Sequence, residues 1–177
     1  MQKTNKPDIL FILILGMMSM LTPLAIDMYL PSFLDIAKEL DVSKEKVQTT
    51  LSLFTLGFAL GQVLWGPLAD SFGRKSIILV GILVSAGMAF ILTQTNNIET
   101  FYLVRFCQGF FGAAPTVVSG ALLRDLFEKN EFAKMMSMVM VVSMLAPLIA
   151  PIFGGYLAKQ FHWHSIFYVL MGMGLLC

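Results

Sequence analysis

Two ionisable side chains, Asp27 and Arg105, stand inside long apolar runs of this 177-residue sequence. A charge in a membrane-spanning helix is costly unless it is paired or hydrated, so each is a functional candidate by default. A carboxylate there can take up and release a proton, and a guanidinium beside it can hold it ionised. Asp27 falls near the far end of the first run. Arg105 falls about 10 Å into the fourth, counted from Ile98 at 1.5 Å per residue. Because those two runs cross in opposite directions, both charges occupy the same half of the membrane. Snorkelling to the interface is the plain alternative for each. The small and polar residues that follow them favour a pair facing an interior cavity.

The elements that must position them are membrane helices. Hydrophobic residues make up 57% of the chain and charged residues 13%, with a mean hydropathy of +0.79. A soluble domain carries about a quarter charged residues and could not hide this much apolar surface. Stretches long enough to cross ~30 Å of hydrocarbon fall at about 9–31, 46–69, 75–95, 98–123, 132–158 and 163–177, the last barely sufficient. Strands are excluded, since the runs do not alternate and an open sheet edge in lipid leaves backbone groups unpaired. The first run follows Lys3 and Lys6 as a signal peptide would. It is too long for one, and Asp27 and Tyr29 stand where a small-residue cleavage site would fall. It reads as a retained span.

Twelve Lys and Arg balance eleven Asp and Glu, a net charge of +1, so no basic field suggests nucleic acid. With the N-terminus inside, Lys3, Lys6, Arg74, Lys75, Arg124, Lys129 and Lys134 lie inside. Lys38, Lys44, Lys46 and Lys159 lie outside. That bias sets a cytoplasmic N-terminus. Between Pro31 and Ser43, Phe33, Ile36, Ala37 and Leu40 repeat at helical spacing while Asp35, Lys38, Glu39 and Asp41 take the other side. The segment predicts an amphipathic helix at the outer interface, with Ser43 capping the next span.

Small residues mark close helix contacts. Gly57 and Gly61 make a GxxxG in the second span. In the fifth, Ala146, Ala150, Gly154 and Ala158 recur on one face, interleaved with Pro147 and Pro151, which predicts a helix bent or loosened near Pro147. The thirteen methionines keep no single face and read as filler. Cys107 and Cys177 read as small packed hydrophobes. His162 and His164 flank Trp163 without a third ligand in the sequence nearby, so they read as interfacial residues and no metal is expected. The sequence has no GxxxxGK[ST], no HExxH and no nucleophile elbow, so neither an enzyme nor a cofactor is expected.

Between the second and third spans the chain reads Gly66-Pro-Leu-Ala-Asp70-Ser-Phe-Gly73-Arg74-Lys75. Gly66 and Gly73 would permit a tight turn, with Arg74 and Lys75 as partners for Asp70. This segment resembles the loop signature of the major facilitator superfamily, with Ser71 in place of its basic residue. Ile26-Asp27-Met28-Tyr29-Leu30-Pro31 is similar to the first-span motif of twelve-span drug:proton antiporters, in particular the Bcr/CflA group, though Leu34 replaces a second proline. The segment Arg105-Phe-Cys-Gln108-Gly109-Phe-Phe-Gly112 resembles the fourth-span motif. Pro147, Ala150, Pro151, Gly154 and Gly155 resemble the fifth-span antiporter motif, with Ala150 where a glycine is usual.

The resemblance implies an all-α membrane protein: the N-terminal six-helix bundle of the major facilitator fold, its sixth helix truncated and the C-terminal bundle absent. It further implies proton coupling or cavity roles for Asp27, Tyr29, Arg105 and Gln108. The implied setting is a bacterial cytoplasmic membrane, with lipid, protons, a small amphipathic substrate and the missing six-helix bundle as partners. The rival reading is a half-protein that transports nothing, or one that pairs with a separately encoded second half. The topology has a direct test. A cysteine introduced at Ser71, with Cys107 and Cys177 replaced, should resist a membrane-impermeant thiol reagent applied from outside and react once the membrane is opened. Labelling from outside would invert the orientation.

Overall fold

Pro31 ends the first long helix. It has no N–H to donate to the carbonyl of Asp27, and its ring crowds that carbonyl. In the computed structural model, which describes residues 9–177, α1 therefore stops at Asp27, short of the expected 31. The chain tightens through a 3-10 turn, Leu30–Ser32, and enters α2, Phe33–Glu39. Lys3 and Lys6 lie outside the described residues. The remaining helices are α3 (Lys44–Phe72), α4 (Arg74–Leu92), α5 (Ile98–Leu126), α6 (Lys129–Phe161) and α7 (His164–Leu176). Five of these segments are long and apolar enough to cross a bilayer, and α7, at 13 residues, is shorter.

The turns have separate causes. Gly73, at φ +89°, parts α3 from α4 in a backbone region that favours glycine. Asn97 caps α5, its side-chain oxygen accepting from the Glu99 N–H at 2.8 Å. Ser43 takes the N-cap of α3 in extended backbone, but its hydroxyl makes no capping bond; its carbonyl accepts from Lys46 and Val47 instead. Gly66 also departs from expectation. It lies within α3, which runs unbroken through Gly66 and Pro67, so the turn depends on Gly73 alone.

Glycine sets the closest contact, between α3 and α5. A Cβ on Gly57 would strike the carbonyl of Phe106, one on Gly61 that of Phe110, and one on Gly109 that of Phe54. The two backbones touch because no side chain stands between them. Trp65 secures the same seam, its indole N–H donating to the Phe110 carbonyl at 2.6 Å. The α1–α6 contact follows the same rule: Ala146 and Ala150 are buried, and a Cβ on Gly154 would strike the Met28 backbone. Pro147 and Pro151 face outward, and α6 runs on through both. The missing donors fall on the exposed side of a helix whose other face buries Val139, Ala146 and Ala150.

Large apolar side chains cover the outside, among them Val63, Met144, Leu148 and Ile152. That is the surface of a protein solvated by hydrocarbon. By contrast, the apolar side of α2 is covered by protein: Phe33, Ile36 and Ala37 share one buried cluster with Tyr29, Phe101 and Trp163.

The glycine seam makes a controlled prediction. Gly57→Ala should lower the thermal stability of the purified protein, since overpacking typically costs ~1–3 kcal/mol. Gly66→Ala, in the same helix, meets only Val117 at 3.9 Å and should be neutral or slightly stabilising through helix propensity. Equal effects would mean that the α3–α5 approach is looser than described.

Candidate functional site

The site grows from the end of α1. The Met28 N–H donates to Leu24 at 3.0 Å, but the Tyr29 N–H turns to Ile26 at 3.3 Å. The 3-10 tightening therefore skips the Ala25 carbonyl, which loses its intrahelical donor. Arg105, projecting from α5, supplies one. Its Nη2 and Nη1 donate to the Ala25 oxygen at 3.3 and 3.4 Å, and Nη1 also donates to Gln108 Oε1 at 2.9 Å. The last carbonyls of a helix carry the negative end of its dipole, so a cation is favoured there.

Three aromatic rings complete the cage. The guanidinium carbon lies 4.2 Å from the Tyr29 centroid, 4.6 Å from Phe54 and 5.8 Å from Phe167. Cation–π attraction strengthens when the pair is desolvated, and Arg105 is fully buried. Tyr29 is itself fixed. The Thr50 hydroxyl donates to the Val47 carbonyl at 2.6 Å, so the phenol donates to Thr50 at 2.7 Å. The Arg105 Nε–H finds no partner among the described residues. Arginine suits this site better than lysine because a planar fork can bridge a carbonyl and an amide while its faces stack on rings.

Asp27 is not in the cage. Two residues along a helix turn the side chain by about 200°, so Asp27 leaves α1 on the side away from Ala25. It lines a separate open recess with Ser19, Thr22, Pro23, Phe58 and Thr116. The Thr116 hydroxyl there is buried and has no partner among the described residues. The expected Asp27–Arg105 pair is therefore not formed in this conformation: all ion pairs among the described residues lie at the two ends of the bundle. The structure brings Tyr29, Arg105 and Gln108 together and sets Asp27 behind them.

At one end, Arg74 reaches Asp70 at 3.4 Å and Asp125, at the end of α5, at 2.5 Å. Lys75, expected to share Asp70, makes no ion pair among the described residues. Asp125 was not foreseen, because nothing in local spacing connects it with residue 74. At the other end, Trp163 donates its indole N–H to Glu39 at 2.6 Å, and Glu39 also approaches His164 at 3.7 Å. The expectation that His162 and His164 lack a third ligand partner is corrected here, since α2 delivers Glu39. Gly155 packs loosely by Pro31, while Gly154 meets the backbone of α1 directly.

These features accord with the sequence comparisons. The pattern described as Major Facilitator Superfamily matches residues 15–177. The chain belongs to the major facilitator superfamily. It is therefore an integral membrane protein of a transporter family. It is 60% identical to a bicyclomycin resistance protein homolog of Haemophilus influenzae over 97% of its own length and 43% of that protein's. It is 41% identical to the uncharacterized MFS-type transporter YdgK of Bacillus subtilis, over 98% of this chain and 44% of that one. It is 35% identical to the multidrug resistance protein MdtL of Vibrio parahaemolyticus, over 89% and 40%. The chain thus spans about two-fifths of the length of the relatives it matches. That fits an N-terminal half of a Bcr/CflA-like major facilitator protein, with an all-helical bundle as its architecture.

Proposed function

We propose that the full-length protein exports small amphipathic compounds across the bacterial cytoplasmic membrane in exchange for protons, and that this chain supplies the bundle carrying the proton site. The N-terminus, the Asp70 loop and the α5–α6 turn face the cytoplasm in this reading. One observation carries it: a carboxylate in an apolar-walled recess and a buried guanidinium sit on opposite sides of the same helix end, joined through the backbone of α1. The names of two of these relatives, the bicyclomycin resistance protein homolog and the multidrug resistance protein MdtL, point to drug resistance for those proteins.

Superfamily members rock two bundles about a shared midplane site. Within such a cycle, the Arg105 contact with the Ala25 carbonyl fixes the rotation of α1, and that rotation fixes which way Asp27 points. The recess beside Asp27 has apolar walls from Pro23, Ile26 and Phe58, with Ser19, Thr22 and Thr116 as its polar points. That mixture suits a ligand that is mostly apolar with a few polar groups. Substrate leaves as Asp27 takes a proton. The second bundle closes the other side of the cavity, and the apolar outer faces of α3 and α6 are available to it and to lipid.

Drug-driven proton release from the purified full-length protein tests this reading. Asp27→Asn removes the titrating group at nearly constant size, so release should fail while drug binding survives. Arg105→Lys keeps the charge and loses the fork, so it should impair coupling rather than be silent. Unchanged release in Asp27→Asn would remove Asp27 from the mechanism and send the search for the proton site to the second bundle.

A further inference from the structure

We propose that Glu39, His162 and His164 form a divalent metal site, of the zinc class, at the α2 end of the bundle. Their ligand atoms lie within 4.8 Å of one another. Two imidazoles and one carboxylate are a donor set that suits zinc, with water as a fourth ligand. Ligands about 2.0–2.2 Å from a tetrahedral ion stand roughly 3.3 Å apart, so the three groups must draw in by ~1.5 Å at most. Glu39 and His162 are exposed and His164 half-buried, which leaves the first two free to swing.

The backbone aims these groups. α6 ends at Phe161, and His162 reverses the chain at φ +68° before α7 begins at His164. The two histidines therefore flank a tight corner, and Trp163 between them points inward. Trp163 is buried, and its ring stacks on His164 with centroids 3.8 Å apart. Its indole N–H holds one Glu39 oxygen at 2.6 Å, leaving the other to face His164 Nε2 at 3.7 Å. A hydrogen bond to the free oxygen of a ligating carboxylate is the outer-shell support that metal sites use. Trp163 is thus the positioning residue, and it is anchored in turn on Phe101 and Phe167.

Lys38, Lys159 and Asp35 line the same recess as Glu39 and His162. The two ammonium groups offset the carboxylates, so affinity rests on ligand chemistry rather than on a field that gathers cations. An ion bound here would clip α2, the connection between the first two spans, to the corner between the last two. It would therefore restrain the end of the bundle where α1 and α7 meet their loops.

Cobalt(II), which takes zinc's geometry and absorbs visibly when tetrahedral, is the probe, added to the tag-free purified chain in detergent. One ion per chain should saturate a visible band, and zinc should remove that band. His162→Ala, at an exposed position, and Glu39→Gln should each weaken binding tenfold or more. Trp163→Phe should weaken it about 10–100-fold with helical content unchanged. No saturable band, a band equal in the His162 and Glu39 variants, or a thiolate charge-transfer band from Cys107 or Cys177 would each overturn the proposal.

Discussion

A single unmatched carbonyl organises this bundle. Pro31 forces α1 to tighten, the tightening leaves Ala25 without an intrahelical donor, and Arg105 supplies the donor from α5. Burying a guanidinium without a carboxylate is costly, so the site offsets that cost by other means. It uses the negative end of a helix dipole, the Gln108 amide and three aromatic faces. Those partners come from α1, α3, α5 and α7. Each of the four helices must hold its position for the arginine to stay satisfied, and the glycine seam holds the backbone of Phe54 against α5.

The same interaction decides where Asp27 can be. Once Ala25 faces the arginine, helical geometry turns Asp27 to the other side, into a recess with a Thr116 hydroxyl that has no partner among the described residues. Arginine and carboxylate then influence one another through the orientation of α1. A rotation of that helix end would trade the Ala25 contact for another, and the 3-10 turn after it, which has only weak local bonds, is the segment able to absorb the change. The ends of the bundle are held separately, by Arg74 with Asp125 on one side and by Glu39 with Trp163 on the other.

Much of this was legible in the sequence, and for physical reasons. Spans follow from composition because hydrocarbon admits few charges. The Gly57/Gly61 and Ala146/Ala150/Gly154 faces follow from side-chain volume at helical spacing. What could not be read was any contact between distant segments that leaves no periodic trace. A backbone carbonyl has no letter, so the Ala25–Arg105 bond was invisible, and two opposite charges at one depth suggested a direct pair instead. Asp125 and Glu39 each act on residues far along the chain, and neither stands out locally. Gly66 misled in the opposite way: it suggests a turn, yet α3 runs through it and through Pro67.

The most direct test of the Arg105–Ala25 arrangement is a double-mutant cycle on thermal stability, with Asp27→Asn, Arg105→Gln and both together in the purified protein. Residues without a shared partner add to within about 0.5 kcal/mol. The structure predicts a large loss from Arg105→Gln, a small change from Asp27→Asn, and in the double variant only the small coupling, of about 0.5–1 kcal/mol, that a shared helix backbone can carry. A coupling of several kcal/mol, as a buried ion pair gives when one partner is removed, would contradict it and put Asp27 back beside Arg105.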